Sequence, residues 1–453
     1  MALLKLDIFN NLLPKENLLY CFLITGLGAI LRFYNYTILP PDNWTSDEYA
    51  FAWSGMSILQ QGVPTSWSWL TPSDNFPTVV WPERNLRFRL VTPWFDHPPL
   101  FGLLVGLAAI IGGARTFFQC NLYSMRFPSL LLGIACLLLV YIIAYKLFNT
   151  PVAVIAGLLY ATNPNTVFLS RLAISENLVV FFALLVILLY WYYHQTQNAR
   201  FLWVAAVCAG LATLAKVTAI YLPVLLVFLL IFDKKWRNIP IVLAIGLGLT
   251  SLYYLYGNLY YHDFFVSIIH EQSLRFESFN FLQYFILPKV FFEDGWLILG
   301  LLSLVLILKD GTENISNRLI TFPIFLYALT LIFTGAQSHY FTWYTIPFYP
   351  FVFIALAIFM GQFSQSPNLV WASLIFITAG IWLFNLTLSG WVLESPTGRY
   401  YFMLVTALIL TMYLLYDIGK LIKKPTINYV NSGLFALLLL GNLYLVFNYK
   451  FTG

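Results

Sequence analysis

Two adjacent carboxylates, Asp47 and Glu48, follow closely on the first apolar run of the sequence. Carboxylates held beside a membrane segment are candidates for taking a proton from, or giving one to, a bound substrate. A second unusual group is Lys216, in the middle of the apolar run Phe201 to Phe232. An ammonium there is costly to hold and is usually functional. Further candidates are Asp96-His97 ahead of Pro98-Pro99, and Arg171 and Glu176 at the two ends of a short polar link. His270, Glu271, Arg275, His339, Tyr340, Tyr344 and Arg399 come later. Acids and bases gathered at one water–lipid boundary suit a substrate with a polar head and a lipid tail.

Most of these residues also have a plainer reading. Thr45-Ser46-Asp47-Glu48 fits a capping box, with Thr45 as N-cap and Glu48 reaching back. The helix it opens is expected to run to Gln61 and stop at Gly62, with Pro64 beyond. Arg126 reads as an interfacial anchor, and Arg171 as either a snorkelling side chain or a ligand. His97 suits a turn. Lys216 has no comparable plain role, because a hairpin apex in lipid needs no ammonium for stability.

The elements that position these groups follow from composition. Of 453 residues, 60% are hydrophobic and only 9% charged, against about 25% charged in soluble domains. Apolar runs of spanning length recur nearly to the end of the chain. The expected fold is an all-α polytopic membrane protein, one integral domain over residues 1–453, with about thirteen transmembrane helices. The first of these reads as an uncleaved helix. The net charge of +5 comes without basic clusters interleaved with aromatics, so no nucleic-acid partner is expected. Four cysteines form no disulfide or metal spacing. No internal repeat is evident.

Lys234, Lys235 and Arg237, the stretch Lys309 to Arg318, and Lys420 to Lys424 mark the cytoplasmic side by the positive-inside bias. Helix 1 then carries the chain out, so Asp47 and Glu48 are external. The apolar piece after Pro99 is marginal for a crossing and is expected at the outer face. Residues 40–123 therefore form a large first extracytoplasmic loop with juxtamembrane helices, and 261–293 a second. The run Phe201 to Phe232 has cytoplasmic flanks on both sides and must cross twice or fold as a short hairpin, which puts Lys216 at its outer apex. The expected location is the cell membrane, with the site on its extracytoplasmic face among membrane lipids.

In this order, the pieces resemble the GT-C superfamily of membrane glycosyltransferases, in the branch of the protein O-mannosyltransferases and lipid A aminoarabinose transferases. The resemblance rests on Asp47-Glu48 opening a helix after helix 1, and on Phe95-Asp96-His97-Pro98-Pro99-Leu100 closing the first loop. It continues through Arg126-Phe127-Pro128, Ser170 to Glu176, Gly210 to Pro223 and His339 to Phe351, and covers roughly residues 20–360.

The resemblance implies a polyprenyl-phosphate sugar donor and a lipid, glycan or protein acceptor. It implies Asp47 as the catalytic carboxylate, with Glu48 beside it and Glu176 as a second important acid. It implies Lys216 as a ligand of the lipid phosphate. Arg275, Arg171 and Arg399 would help to neutralise that phosphate, and His97, Tyr340 and Tyr344 would position substrate. Where relatives commonly carry Lys before the two prolines, this chain has His97, so that cation depends on pH. Asp96, His270 and His339 are candidate ligands for a divalent metal, zinc or magnesium. The competing readings are a secondary transporter, and a lipid-linked glycan flippase or polymerase; charges at one edge with asymmetric loops favour the enzyme.

Overall fold

Within a bilayer a backbone finds no water to bond, so each apolar run must satisfy its own amides, and helices result. The computed structural model describes residues 13–449 apart from 43, 69, 71–76, 82–85, 274–293, 310, 312, 335–341, 389 and 420. Helix α1 is Lys15–Phe33, and α2 is Asp47–Gln61. Strands β1 (Ser66–Trp67), β2 (Thr78–Trp81) and β3 (Leu86–Val91) follow, then α3 (Pro99–Ile111) and α4 (Leu122–Leu147). Next come α5 (Thr150–Thr162), α6 (Pro164–Leu169), α7 (Glu176–Thr196) and α8 (Ala199–Ala215). A 3₁₀ turn, Val217–Ile220, leads into α9 (Tyr221–Phe232). Then follow α10 (Ile239–Ser273), α11 (Gly295–Lys309), α12 (Ile315–Thr334) and α13 (Tyr349–Gln365). The last three are α14 (Leu369–Thr387), α15 (Pro396–Gly419) and α16 (Lys424–Asn448).

Nine helices among the described residues are long and apolar enough to cross a membrane. Thr150–Thr162, Ala199–Ala215, Val217–Phe232 and Gly295–Lys309, which the expected thirteen include, are shorter apolar helices. The reasons are local. The expected third helix is interrupted at Asn163-Pro164, where Asn163 (ψ 125°) leaves helical geometry and its side chain caps the next helix through Thr166 N–H, 3.0 Å away. The Phe201 to Phe232 run is the expected hairpin-like pair, broken at Lys216, whose backbone is extended (φ −156°, ψ 134°). Helix α10 is two arms, broken at Tyr261 (φ −145°, ψ 41°).

The region expected as the first loop carries the two short helices α2 and α3. They cross with almost no side chain between them. A Cβ on Gly55 would lie 1.8 Å from the Gly102 carbonyl oxygen, and one on Gly106 2.3 Å from the Gly55 carbonyl carbon. Helix α2 ends as expected at Gly62, in the left-handed region at φ 79° with its N–H on Ile58. A small antiparallel sheet, in the order β1-β3-β2, was not anticipated in an all-α reading. It is attached by its aromatics: Trp81 on β2 stacks edge-on to Tyr49, 5.2 Å away, and lies 6.1 Å from Trp53.

Helices α7 and α9 belong to one bundle and are tied at both ends. Glu176, at the start of α7, pairs with Lys216. At the other end, Asp233 accepts from Tyr190 (2.7 Å) and pairs with His194 (2.9 Å) and Arg318 (2.8 Å). Glu176 and His194 are separated by about 27 Å of helix, close to the thickness of a bilayer core. The two clusters therefore lie at opposite ends of the bundle.

Candidate active site

At the start of α2, the Asp47 N–H donates to Thr45 Oγ1 (3.2 Å), and Ser46, not Thr45, is the N-cap, without a side-chain cap. The expected capping box is not formed. Glu48 turns instead into the protein. Its carboxylate accepts Arg126 Nε (2.8 Å) and Nη2 (2.7 Å), and also the Ala173 N–H (2.8 Å). Arg126 Nη1 donates to the carbonyls of Tyr36 (2.7 Å) and Pro40 (2.8 Å). Both side chains are fully buried. This replaces the expectation of Arg126 as an interfacial anchor, and the position of Glu48 is that of a strut. Charges removed from water persist only when paired and fully bonded.

Arg171 has a similar task. It is fully buried and donates to the carbonyls of Leu31 (2.6 Å), Leu39 (2.9 Å) and Arg32 (3.3 Å), so it caps the end of α1. It does not snorkel; its donors are spent on the backbone of the chain itself. Burial, and then the neighbouring Arg32 and Arg126, push its guanidinium below the usual arginine range. Arg399 is exposed at the start of α15 and donates to the Leu393 carbonyl.

Glu176 and Lys216 meet directly, and both are nearly buried. The Lys216 ammonium also lies 4.5 Å from the centre of the Tyr344 ring, an aromatic face that favours a desolvated cation. Asp47, half-buried, is close enough for its charge to act on this ammonium. The carboxylate of α2, the acid of α7, the ammonium after α8 and the tyrosine before α13 thus share one end of the bundle.

A family model, dolichyl-phosphate-mannose-protein mannosyltransferase, matches residues 96–261. That stretch contains Asp96, His97, Arg171, Glu176 and Lys216, and Asp47 precedes it. Among solved structures, ArnT of Cupriavidus metallidurans bound to undecaprenyl phosphate is 15% identical with a TM-score of 0.52, over 94% of this chain and 77% of that one. The arabinosyltransferase EmbB of Mycobacterium smegmatis is 11% identical with a TM-score of 0.58, over 95% of this chain and 41% of that one. The fold is that of the GT-C membrane glycosyltransferases. The apo oligosaccharyltransferase of Archaeoglobus fulgidus is 14% identical with a TM-score of 0.50, over 94% of this chain; the chain spans 56% of its length. No curated protein sequence matches.

On this GT-C scaffold, the Asp96-His97 turn lies beside an aromatic-walled cavity. His97 stacks on Phe51 of α2 (5.2 Å) and meets Trp94 edge-on (5.8 Å). Asp96 accepts from Ser68 Oγ (2.8 Å). The cavity, of about 230 Å³, is lined by His97, Trp94, Phe95, Ile58, Leu103 and Tyr256 among others. Asp47, Phe51 and Ile58 recur at helical spacing along α2, so one face of that helix runs from the carboxylate toward the cavity. His270 is exposed on the second arm of α10. Arg275, His339 and Tyr340 lie outside the described residues. Among the described residues, no three His, Cys, Asp or Glu converge as metal ligands.

Sequence reasoning missed Arg126 as the partner of Glu48, and Arg32, which is buried and donates to Tyr160 (3.2 Å) and Gly28 (3.2 Å) carbonyls. It also missed Tyr253 and Gln272. The only available signal for the arginines was their cost: a guanidinium in an apolar run must be bonded somewhere.

Proposed function

We propose that the chain is a glycosyltransferase that moves a sugar from a polyprenyl-phosphate donor to an acceptor hydroxyl at the extracytoplasmic membrane face, with inversion. The observation that supports this reading is the meeting of Lys216, Glu176 and Tyr344 at one bundle end, within electrostatic reach of Asp47. The solved ArnT relative was captured with undecaprenyl phosphate, and the same class of lipid is the carrier proposed for this chain.

The leaving group is already an anion, so it needs neutralisation more than protonation. Lys216 supplies that charge, with Glu176 holding the ammonium in place until phosphate arrives. Asp47 takes the proton from the acceptor hydroxyl. The hydroxyl oxygen then bonds to the anomeric carbon while the carbon–oxygen bond to phosphate breaks on the opposite side, and the phosphate keeps the electron pair. The apolar cavity beside His97 takes the first part of the lipid tail.

The decisive assay is release of polyprenyl phosphate from a labelled lipid-linked sugar by protein reconstituted in liposomes, with and without acceptor. Asp47→Asn should lower turnover by about 10²–10⁴-fold with an unchanged melting temperature. Full turnover by that variant would remove Asp47 as the base. Failure of the native protein on every polyprenyl-phosphate sugar tried would remove the reading itself.

A further inference from the structure

The turn that presents Asp96 and His97 is held from outside. Pro98 and Pro99 have no N–H, so this end of the turn cannot be pinned by its own amides. Two side chains of α10 bond successive carbonyls instead. The Tyr253 hydroxyl donates to the Phe95 carbonyl (2.7 Å), and the Gln272 amide donates to the Asp96 carbonyl (2.9 Å).

Tyr253 and Gln272 are 19 positions apart, about 28 Å on a straight helix. They reach neighbouring carbonyls because α10 breaks at Tyr261 and its arms fold together. The arms touch where Phe265 covers Gly257: a Cβ there would lie 2.3 Å from the Phe265 ring. Between them, the Phe95 ring sits against Tyr253, Tyr261 and Phe265 at centroid distances of 6.2, 5.9 and 5.0 Å. Helix α10 therefore acts as a clamp on the residue just before Asp96-His97.

We propose that Tyr253 and Gln272 are positioning residues for the phosphate end of the lipid donor, acting through the Phe95–Asp96 backbone to set His97. The inference rests on the reading of the chain as a lipid-phosphate-dependent transferase. Displacements of about 1 Å at such a group cost up to 10²-fold in rate. The two bonds are well placed to prevent them.

The test is equilibrium binding of undecaprenyl phosphate to the full-length protein in detergent, with melting temperature measured alongside. Tyr253→Phe and Gln272→Met each keep the side-chain bulk and delete one donor. Each should weaken binding about tenfold, and His97→Ala should do the same. Side chains that act through one group are non-additive, so Tyr253→Phe should cost nothing further in a His97→Ala background. A merely structural role would add its full loss in that background, and this result would overturn the proposal, as would undiminished binding by both single variants. Should Tyr253→Phe fail to fold, Gln272→Met, at a half-buried position, carries the same cycle. A native chain that binds the lipid phosphate but transfers no sugar refutes the transferase reading alone; one that binds none refutes both.

Discussion

Glu48 and Arg126, 78 residues apart, meet as a fully buried two-point ion pair. The pair also holds the Ala173 N–H and the carbonyls of Tyr36 and Pro40. It therefore joins four segments: the start of α2, α4, the chain after α1, and the link ahead of Glu176. Asp47 is the next residue along from Glu48, so this knot sets where Asp47 stands relative to Glu176. Two neighbouring carboxylates have different tasks, and a paired substitution separates them. Glu48→Ala or Arg126→Ala leaves one charge buried and unpaired, at a cost of about 3–5 kcal/mol. The expected readout is a large drop in melting temperature and in recovered protein, whereas Asp47→Asn changes neither. A stable but inactive Glu48→Ala protein would show that Glu48 serves the chemistry and not the scaffold.

Glu176 and Lys216 should respond to ligand in opposite directions. Without donor, Glu176 is the direct ion-pair partner of a nearly buried ammonium. Glu176→Gln takes the direct partner from that ammonium, so the ligand-free protein should melt earlier. Added undecaprenyl phosphate supplies the missing negative charge and binds only the folded state, so the ligand-induced rise in melting temperature should exceed that of the native protein. Lys216→Met removes the cation and should nearly abolish that rise. Equal ligand-induced shifts in all three proteins would take Lys216 out of the phosphate site.

At the opposite end, Asp233 ties α7, the turn after α9, and α12 together. Burial raises its carboxyl, but hydrogen bonds from Tyr190 and His194 and the Arg318 guanidinium outweigh that, and the net position is below the usual carboxylate range. A carboxylate depressed on folding stabilises the native state above its unfolded pKa of about 3.9 and ceases to do so as pH falls through the folded value. The melting temperature should therefore decline with acid from about pH 5 downward. Asp233→Asn should start lower at neutral pH and decline less. Parallel curves for the two proteins would mean that the cluster contributes no pH-dependent stability.

How much of this was legible in sequence depended on the range of each interaction. The end of α2 was readable because it is local, Gly62 stopping it at φ 79°, and its start lies one residue beyond the one that a Thr45 cap implies. The partner of Glu48 was not, because Thr45 offers a nearby cap pattern while Arg126 lies on another helix. Lys216 stood out because lipid makes an ammonium expensive wherever it pairs. Arg171 stood out for the same reason, yet cost alone does not distinguish a ligand from a cap on the carbonyls of Leu31 and Leu39. The β2–β3 pair was masked by the helical character of the whole, although Thr78–Trp81 and Leu86–Val91 carry the β-branched and aromatic residues of strands. Tyr253 and Gln272 gave no signal, since their function depends on the break at Tyr261.

The sidedness of the chain can be tested without any substrate. All four native cysteines, Cys21, Cys120, Cys136 and Cys208, are buried, and burial pushes the Cys120 thiol up to about 12. Such thiols are poorly reactive, because the thiolate is the nucleophile, so the native background should stay dark to a maleimide. Ser66 is a poor reporter position, being buried with its hydroxyl on the Ala50 carbonyl (2.9 Å). Val80 on β2 is 49% exposed and Trp236, beside the basic cluster, is 57% exposed. With the positive-inside bias placing Lys234, Lys235 and Arg237 in the cytoplasm, Val80→Cys should react with an impermeant maleimide in intact cells. Trp236→Cys should react only after the membrane is opened. The reverse pattern would put Asp47 and Lys216 on the cytoplasmic side, where an extracytoplasmic donor could not reach them.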